Sequence, residues 1–168
     1  MIYQLSNEEK QLALSEAERR QSVNEQNNSV GRNRGIEKGS KALMLHKIGS
    51  LGEMAVASYL GLNNFLYCDK TPKKDSCDLP FMIDVKTRSK HYYDLIIQLD
   101  EKTNKNFWLC TIELDEIRIQ GWIQSQNCFK PEYIKDPAGG REAYFVPQSK
   151  LWPPEAFWFF FNSNDLSL

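Results

Sequence analysis

The sequence predicts an α/β domain in which helices come first and a central β-sheet follows, flanked by helices. Two observations carry this. Met44, Ile48, Leu51, Ala55 and Tyr59 recur at spacings of four, three, four and four, which places them on one face of a helix running to about Leu60. Beyond Gly61, a helix stop, the pattern changes to short runs rich in β-branched and aromatic residues: FLYC, MIDVKT, YYDLIIQL, NFWLCTIEL, IRIQGWIQ and AYFVP. LIIQL and FWLCTI are nearly continuous apolar runs rather than alternations, so both faces of the sheet are expected to be covered.

Ahead of these elements, Ser6 and Glu9 have the spacing of a capping box, and Asn7 to about Arg20 is rich in helix-favouring Glu, Gln, Ala and Leu. From Gln21 to Arg34 the composition turns to Asn, Ser, Gly and Arg with no apolar period, which reads as a mobile linker. The expected organisation is therefore an N-terminal helical extension with its linker over residues 1–37 and one domain over 38–168. The tail LWPPEAFWFFF is expected to be the last packed element, with a dimer contact as the lesser reading. The stretch GIEKGSK is not a phosphate loop, because Ser40 stands between the second glycine and the lysine.

Composition narrows the class further. Hydrophobic residues at 41% and charged residues at 26% match an ordinary soluble globular chain, so disorder is not the default. With no run long enough for a membrane span and an acidic start that lacks the regions of a signal peptide, a cytoplasmic protein is expected. Cys68, Cys77, Cys110 and Cys128 form no CxxC pair, and His46 and His91 lie far apart. Zinc, iron-sulfur and disulfide readings are weak, and the thiols read as buried apolar fillers. A net charge of -1 argues against coating nucleic acid by bulk electrostatics. Locally, however, Lys70, Lys73, Lys74, Lys86, Arg88 and Lys90 flank a small acidic cluster of Asp75, Asp78 and Asp84.

The chemistry concentrates in that cluster. On a strand through MIDVKT, Ile83 and Val85 point to one face and Asp84 and Lys86 to the other, about 7 Å apart along the chain. An isolated acid and lysine in this arrangement is ordinarily a structural ion pair. Asp78 changes the reading. On a straight chain it would stand about 20 Å from Asp84, but Pro80 argues against a straight central strand. A tight reversal through Leu79 to Met82 would set the two aspartates nearly opposite, with Cβ atoms about 4.5–5.5 Å apart. Two facing carboxylates want a cation, and hard oxygen ligands select magnesium or manganese. Glu53 is the third candidate acid. Gly49 and Gly52 stand beside it at a cost of about 1 kcal/mol each in a helix, which a close approach of another chain segment or of substrate would justify. The bland alternative is a boundary residue, since Glu53 lies nearly opposite the Met44 to Tyr59 stripe.

GxxGE on a helix, then an aspartate, then a hydrophobic stretch ending in DxK followed by Thr87, resembles the PD-(D/E)xK nuclease superfamily, particularly small stand-alone members such as phage-encoded nucleases and Holliday-junction resolvases. The motifs cover about Gly49 to Arg88, and the downstream pattern extends the resemblance loosely over most of the chain. It implies a restriction-endonuclease-like core with a mixed sheet, Glu53, Asp78 and Asp84 as ligands of Mg2+ or Mn2+, and Lys86 orienting or deprotonating the attacking water. The partner implied is nucleic acid, with DNA the expected form. Lys73, Lys74, Arg88 and Lys90 would grip the flanking phosphates, and a homodimer would ease cutting of both strands. Three features depart from the family pattern. Cys77 replaces the proline, the six-residue gap leaves Asp75 as the other candidate motif acid, and HYYDLIIQL reads as strand where the family usually has a helix.

Overall fold

The computed structural model describes residues 1–26, 39–62, 77–137 and 139–164, with side chains as far as Phe160 in the last helix. FLYC, Cys68, Asp75 and the lysines at 70, 73 and 74 lie outside the described residues.

The chain begins with a short strand, β1 (Ile2–Tyr3), and a helix, α1 (Asn7–Gln26). The capping box forms as the spacing predicts: Ser6 N–H donates to Glu9 Oε2 at 2.7 Å and Glu9 N–H to Ser6 Oγ at 3.2 Å. The helix does not stop near Arg20. It continues to Gln26, so the first part of the expected linker is helical, held by Gln21 to Glu25 and by Asn24 to His46 on the next helix. The rest of that linker lies outside the described residues. Ala13 and Ala17 are the buried residues of α1, and their small size lets it lie close against its neighbour.

The neighbour is α2 (Ser40–Tyr59), which ends as expected at Leu60 with Gly61 at φ +70°. Its buried surface differs from the expected stripe. Met44 is 62% exposed, whereas Ser50 and the whole stretch from Gly52 to Ala57 are buried. The C-terminal half of α2 is packed on one side by α1 and on the other by the sheet, so periodicity along one face understates its burial.

Four strands form the mixed sheet in the order β1-β5-β4-β2, from β2 (Ile83–Arg88), β4 (Asn106–Glu113) and β5 (Glu116–Gln124) together with β1. β2 runs parallel to β4, and the other pairs are antiparallel. The crossover between β2 and β4 carries β3 (Leu95–Gln98), a strand as YYDLIIQL predicts, and not a helix. β3 joins β6 (Ile134–Lys135) and β7 (Ala143–Val146) in a second, three-stranded sheet of order β3-β7-β6, and a one-turn helix, α3 (Ser125–Cys128), follows β5.

β4 is the centre of the molecule. Trp108 and Cys110 face the helices with Met54, Val56, Ile83 and Ile119, while Phe107 and Leu109 face the second sheet with Leu95, Ile97 and Val146. Covered faces were expected. The coverage is asymmetric, however, with the long helices on one face and the small sheet on the other. The tail closes the helical side: Phe157 of α4 (Ala156–Asn164) is fully buried, with its ring centroid 5.1 Å from Trp108 and 4.9 Å from Trp122. Cys110 and Cys128 are buried fillers as expected, and burial pushes both thiols up to about 12, whereas Cys77, at the start of the reversal before β2, is only half-buried. Among the described residues no helix is long and apolar enough to cross a membrane.

Candidate functional site

The reversal expected before β2 is present. Leu79 bridges Ile83 in antiparallel register, Leu79 N–H donates to Ile83 O at 3.1 Å, and Ile83 N–H donates to Pro80 O at 3.3 Å. That register sets Asp78 opposite Asp84. The turn is made by Phe81 and Met82, both at positive φ (59° and 55°) and tied to β4 through Asn106, whose side-chain amide donates to Phe81 O and whose N–H donates to Met82 O, each at 2.8 Å. Asp78 Oδ2 accepts from Val85 N–H at 2.7 Å, which locks the first aspartate to the strand carrying the second.

Within β2, Ile83 and Val85 enter the helical core, and Asp84 and Lys86 share the opposite face as the period of two requires. Lys86 Nζ lies 2.5 Å from Asp84 Oδ1. With Lys105 on Oδ2 at 2.7 Å, both oxygens of the Asp84 carboxylate therefore face a lysine ammonium. Glu53 comes from the buried half of α2 and is only 6% exposed. Its setting explains one of the two helix glycines. A Cβ on Gly52 would stand 2.1 Å from Thr87 Oγ1, so Gly52 admits β2 against the helix beside Glu53, whereas Gly49 faces open space.

Three further residues, which carry no periodic signal in the sequence, complete the cluster. Arg20 of α1 grips Glu53 with both terminal nitrogens at 2.8 and 2.7 Å and reaches Glu16 through Nε at 2.9 Å. Lys105 is 4% exposed and bonds Asp84 Oδ2 at 2.7 Å and Glu101 Oε2 at 3.0 Å. Glu101 in turn accepts from Lys86 at 3.1 Å. Glu101 and Lys105 stand four apart ahead of β4 and look like solvated loop residues until the fold closes over them. Their cue was the position of a lysine directly before a buried strand.

The electrostatics follow from burial. Burial pushes the Asp78 carboxyl well above the ordinary 3.8, reinforced by the charges of Glu53 and Asp84 and opposed by Lys86 and the Val85 N–H. Burial likewise raises Glu53, against the pull of Arg20, with Asp84 adding repulsion. Burial works against the Lys86 ammonium, but Asp84 and Glu101 outweigh it and hold its pKa above the usual lysine value. Lys86 is thus a firm cation in this network. Among the described residues, four carboxylates (Glu53, Asp78, Asp84, Glu101) meet three cations (Arg20, Lys86, Lys105), with Arg20 shared with Glu16, and burial favours the neutral form of Asp78.

Carboxylate oxygens are the donor type that a hard divalent cation takes, and here Glu53, Asp78, Asp84 and Glu101 supply them alongside the three cations that pair with them. Among the described residues no three His, Cys, Asp or Glu side chains stand in ready metal-ligating geometry, and Arg20 and Lys105 occupy oxygens of Glu53 and Asp84. Two of the four sequence candidates for phosphate contact, Arg88 and Lys90, have other neighbours. Arg88 lies over the Tyr93 ring at 4.9 Å, with its Nε buried and without a hydrogen-bond partner. Lys90 bonds Glu113 at 2.6 Å near the far ends of β2 and β4. Lys73 and Lys74 lie outside the described residues, as does Asp75. A groove of about 240 Å³ opens beside the cluster, between the Phe81–Met82 turn and Ser125. A larger cleft of about 500 Å³ lies across the sheet between β1 and the β4–β5 turn, away from the acids. Compared with protein-family models, with curated proteins and with solved structures, the chain gives no match, so the geometry of the site carries the functional reading.

Proposed function

We propose that this protein is a divalent-metal-dependent nuclease of the PD-(D/E)xK type, with a restriction-endonuclease-like core, that hydrolyses phosphodiester bonds in nucleic acid, DNA being the expected substrate. The observation that carries this reading is the hairpin that sets Asp78 opposite Asp84, with Lys86 on the face of Asp84 and Glu53 near enough to raise the pKa of Asp78. Asp78, Asp84 and Glu53 would hold Mg2+ or Mn2+. The ion, when bound, neutralises charge developing on the phosphoryl oxygens.

The protein's own residues set up the rest. Lys86, kept protonated by Asp84 and Glu101, acts by holding the attacking water and the phosphate through its ammonium rather than as a general base. Water adds to phosphorus in line with the leaving oxygen, that P–O bond breaks, and the leaving oxygen gains the proton through solvent. Lys105, lodged between Asp84 and Glu101, fixes the orientation of the Asp84 carboxylate.

The test is incubation of wild type, Asp84→Ala and Lys86→Ala with supercoiled, linear, single-stranded and branched DNA, in magnesium, in manganese and in chelator. Wild type is expected to cleave only with metal, and each variant to lose at least about a hundredfold in rate. Metal-dependent cleavage that persists in both variants, or none by wild type on any substrate, refutes the proposal. One observation favours a second reading, a noncatalytic nucleic-acid-binding, inhibitor or scaffold protein that retains the fold: Arg20 and Lys105 already satisfy Glu53 and Asp84 as a closed ion-pair network. Under that reading, calorimetric titration with Mg2+ or Mn2+ gives no heat of binding.

A further inference from the structure

The turn that positions Asp84 is built at a cost that the acids alone do not require. Phe81 and Met82 are consecutive bulky residues at positive φ, a conformation that L side chains avoid and that persists where surrounding structure enforces it. Asn106 enforces it here with two bonds. The result is that Phe81 and Met82 stand 46% and 45% exposed at the mouth of the groove beside the site. A reversal made by glycine or asparagine would deliver Asp78 to Asp84 without presenting these side chains.

Phe81 is also braced. Its ring meets Trp158 edge to face, with centroids 5.4 Å apart, and Trp158 meets the buried Phe157, which packs on Trp108 and Trp122. Phe81 and the 37% exposed Trp158 are therefore surface rings fixed to the aromatic core. The groove that Phe81 lines, with Trp158 behind that ring, carries hydrogen-bonding side chains, among them Asn104, Gln124, Ser125 and Gln126. Lys105, which also lines the groove, bonds Asp84. Rigid rings, amides able to meet base edges, and continuity with the acidic cluster are the components of a base-binding surface.

We infer that Phe81 and Trp158 form a stacking platform for unpaired bases, and that the site takes single-stranded or locally melted nucleic acid rather than intact duplex. This deepens the nuclease reading and rests on it for the fate of the bound strand, though not for the binding itself. Lys86 and Lys105 are engaged with carboxylates, Lys90 with Glu113, and the chain carries a net charge of -1. Stacking on the two rings then supplies a share of the affinity that does not depend on salt.

The test is fluorescence anisotropy with a labelled oligothymidylate of about 12 nucleotides and with a blunt duplex of the same length, in EDTA so that no hydrolysis can occur. The proteins are the full-length wild type, Phe81→Asn, which keeps a residue tolerant of positive φ, Trp158→Ala, and Phe81→Tyr as the ring-retaining control. Wild type is expected to prefer the single strand, each ring deletion to weaken that binding about tenfold, and Phe81→Tyr to bind as wild type. Thermal melting establishes that each variant is folded. Equal affinity for both DNAs, or unchanged single-strand affinity in the folded ring deletions, overturns the platform. Ring-dependent binding by a protein that cleaves nothing supports the platform and refutes only the nuclease reading. Cleavage indifferent to both rings and to strandedness does the reverse.

Discussion

At Gly52 the helix and strand of the candidate site come so close that a single methyl group decides their fit. The nearest atoms to an added Cβ belong to Thr87, with Oγ1 at 2.1 Å and Cβ at 3.1 Å, and a short β-branched side chain on a strand cannot swing away. Gly52→Ala is therefore expected to cost about 1–3 kcal/mol by overpacking, and Thr87→Ala in the same chain to recover most of it. Gly49, three residues earlier on the same helix, meets nothing within 4 Å. Gly49→Ala should gain about 0.5–1 kcal/mol from helix propensity. Urea unfolding of the three variants measures both effects, and equal effects at the two glycines would contradict this packing. Glycine beside Glu53 was readable in the sequence as a signal of close approach, but which glycine made the approach was not, because that depends on where β2 lies. The same limit hid Arg20, Glu101 and Lys105. Each is an ordinary polar residue on a helix or loop, and each becomes part of a buried charge network only through a partner between 4 and 33 positions away.

Among the elements, strands with a strict period were legible and boundaries set by tertiary contact were not. Asp84 and Lys86 fall on one face of β2 because alternation leaves no other choice, and Pro80 marked the reversal before it. The length of α1 beyond Arg20 and the exposure of Met44 depend on which helix packs where, which composition does not encode. The β4–β5 hairpin departs from local preference in a way that can be measured. Glu113 pairs with Glu116 across a two-residue turn in which Leu114 and Asp115 have φ of 49° and 66°, where Asn-Gly is the favoured pair. Leu114 is 96% exposed, so it contributes almost no burial to offset its strained backbone. Leu114→Asn is expected to stabilise the protein by about 1 kcal/mol, which is about 2–4 °C in Tm for a chain of this size. A lower melting temperature would mean that this leucine is held by a contact its exposure does not reveal.

For the molecule as a whole, gathering four carboxylates at one edge of the sheet opposes stability, and the pH dependence should show it. Burial, with Glu53 and Asp84 alongside, holds Asp78 well above its ordinary 3.8, so the folded chain binds this proton more tightly than the unfolded chain. Stability therefore falls as pH rises from the ordinary carboxylate value through the raised one, and above it the full penalty is present. Glu53, also raised, acts in the same direction, whereas Glu9, Glu16 and Glu113 are lowered and lose their contributions as pH falls. A paired comparison cancels these other groups. Asp78→Asn keeps an oxygen to accept the Val85 N–H and removes the charge. In chelator it should melt above wild type at pH 8, with the difference shrinking toward pH 4. Under the proposed metal site, millimolar magnesium should reverse the order at pH 8, because an ion that Asp78 and Asp84 would hold together stabilises the wild-type fold more than the variant, by mass action. A Tm difference that ignores pH would show that Asp78 does not feel its neighbours, and one that ignores magnesium would show that Asp78 and Asp84 do not hold an ion together.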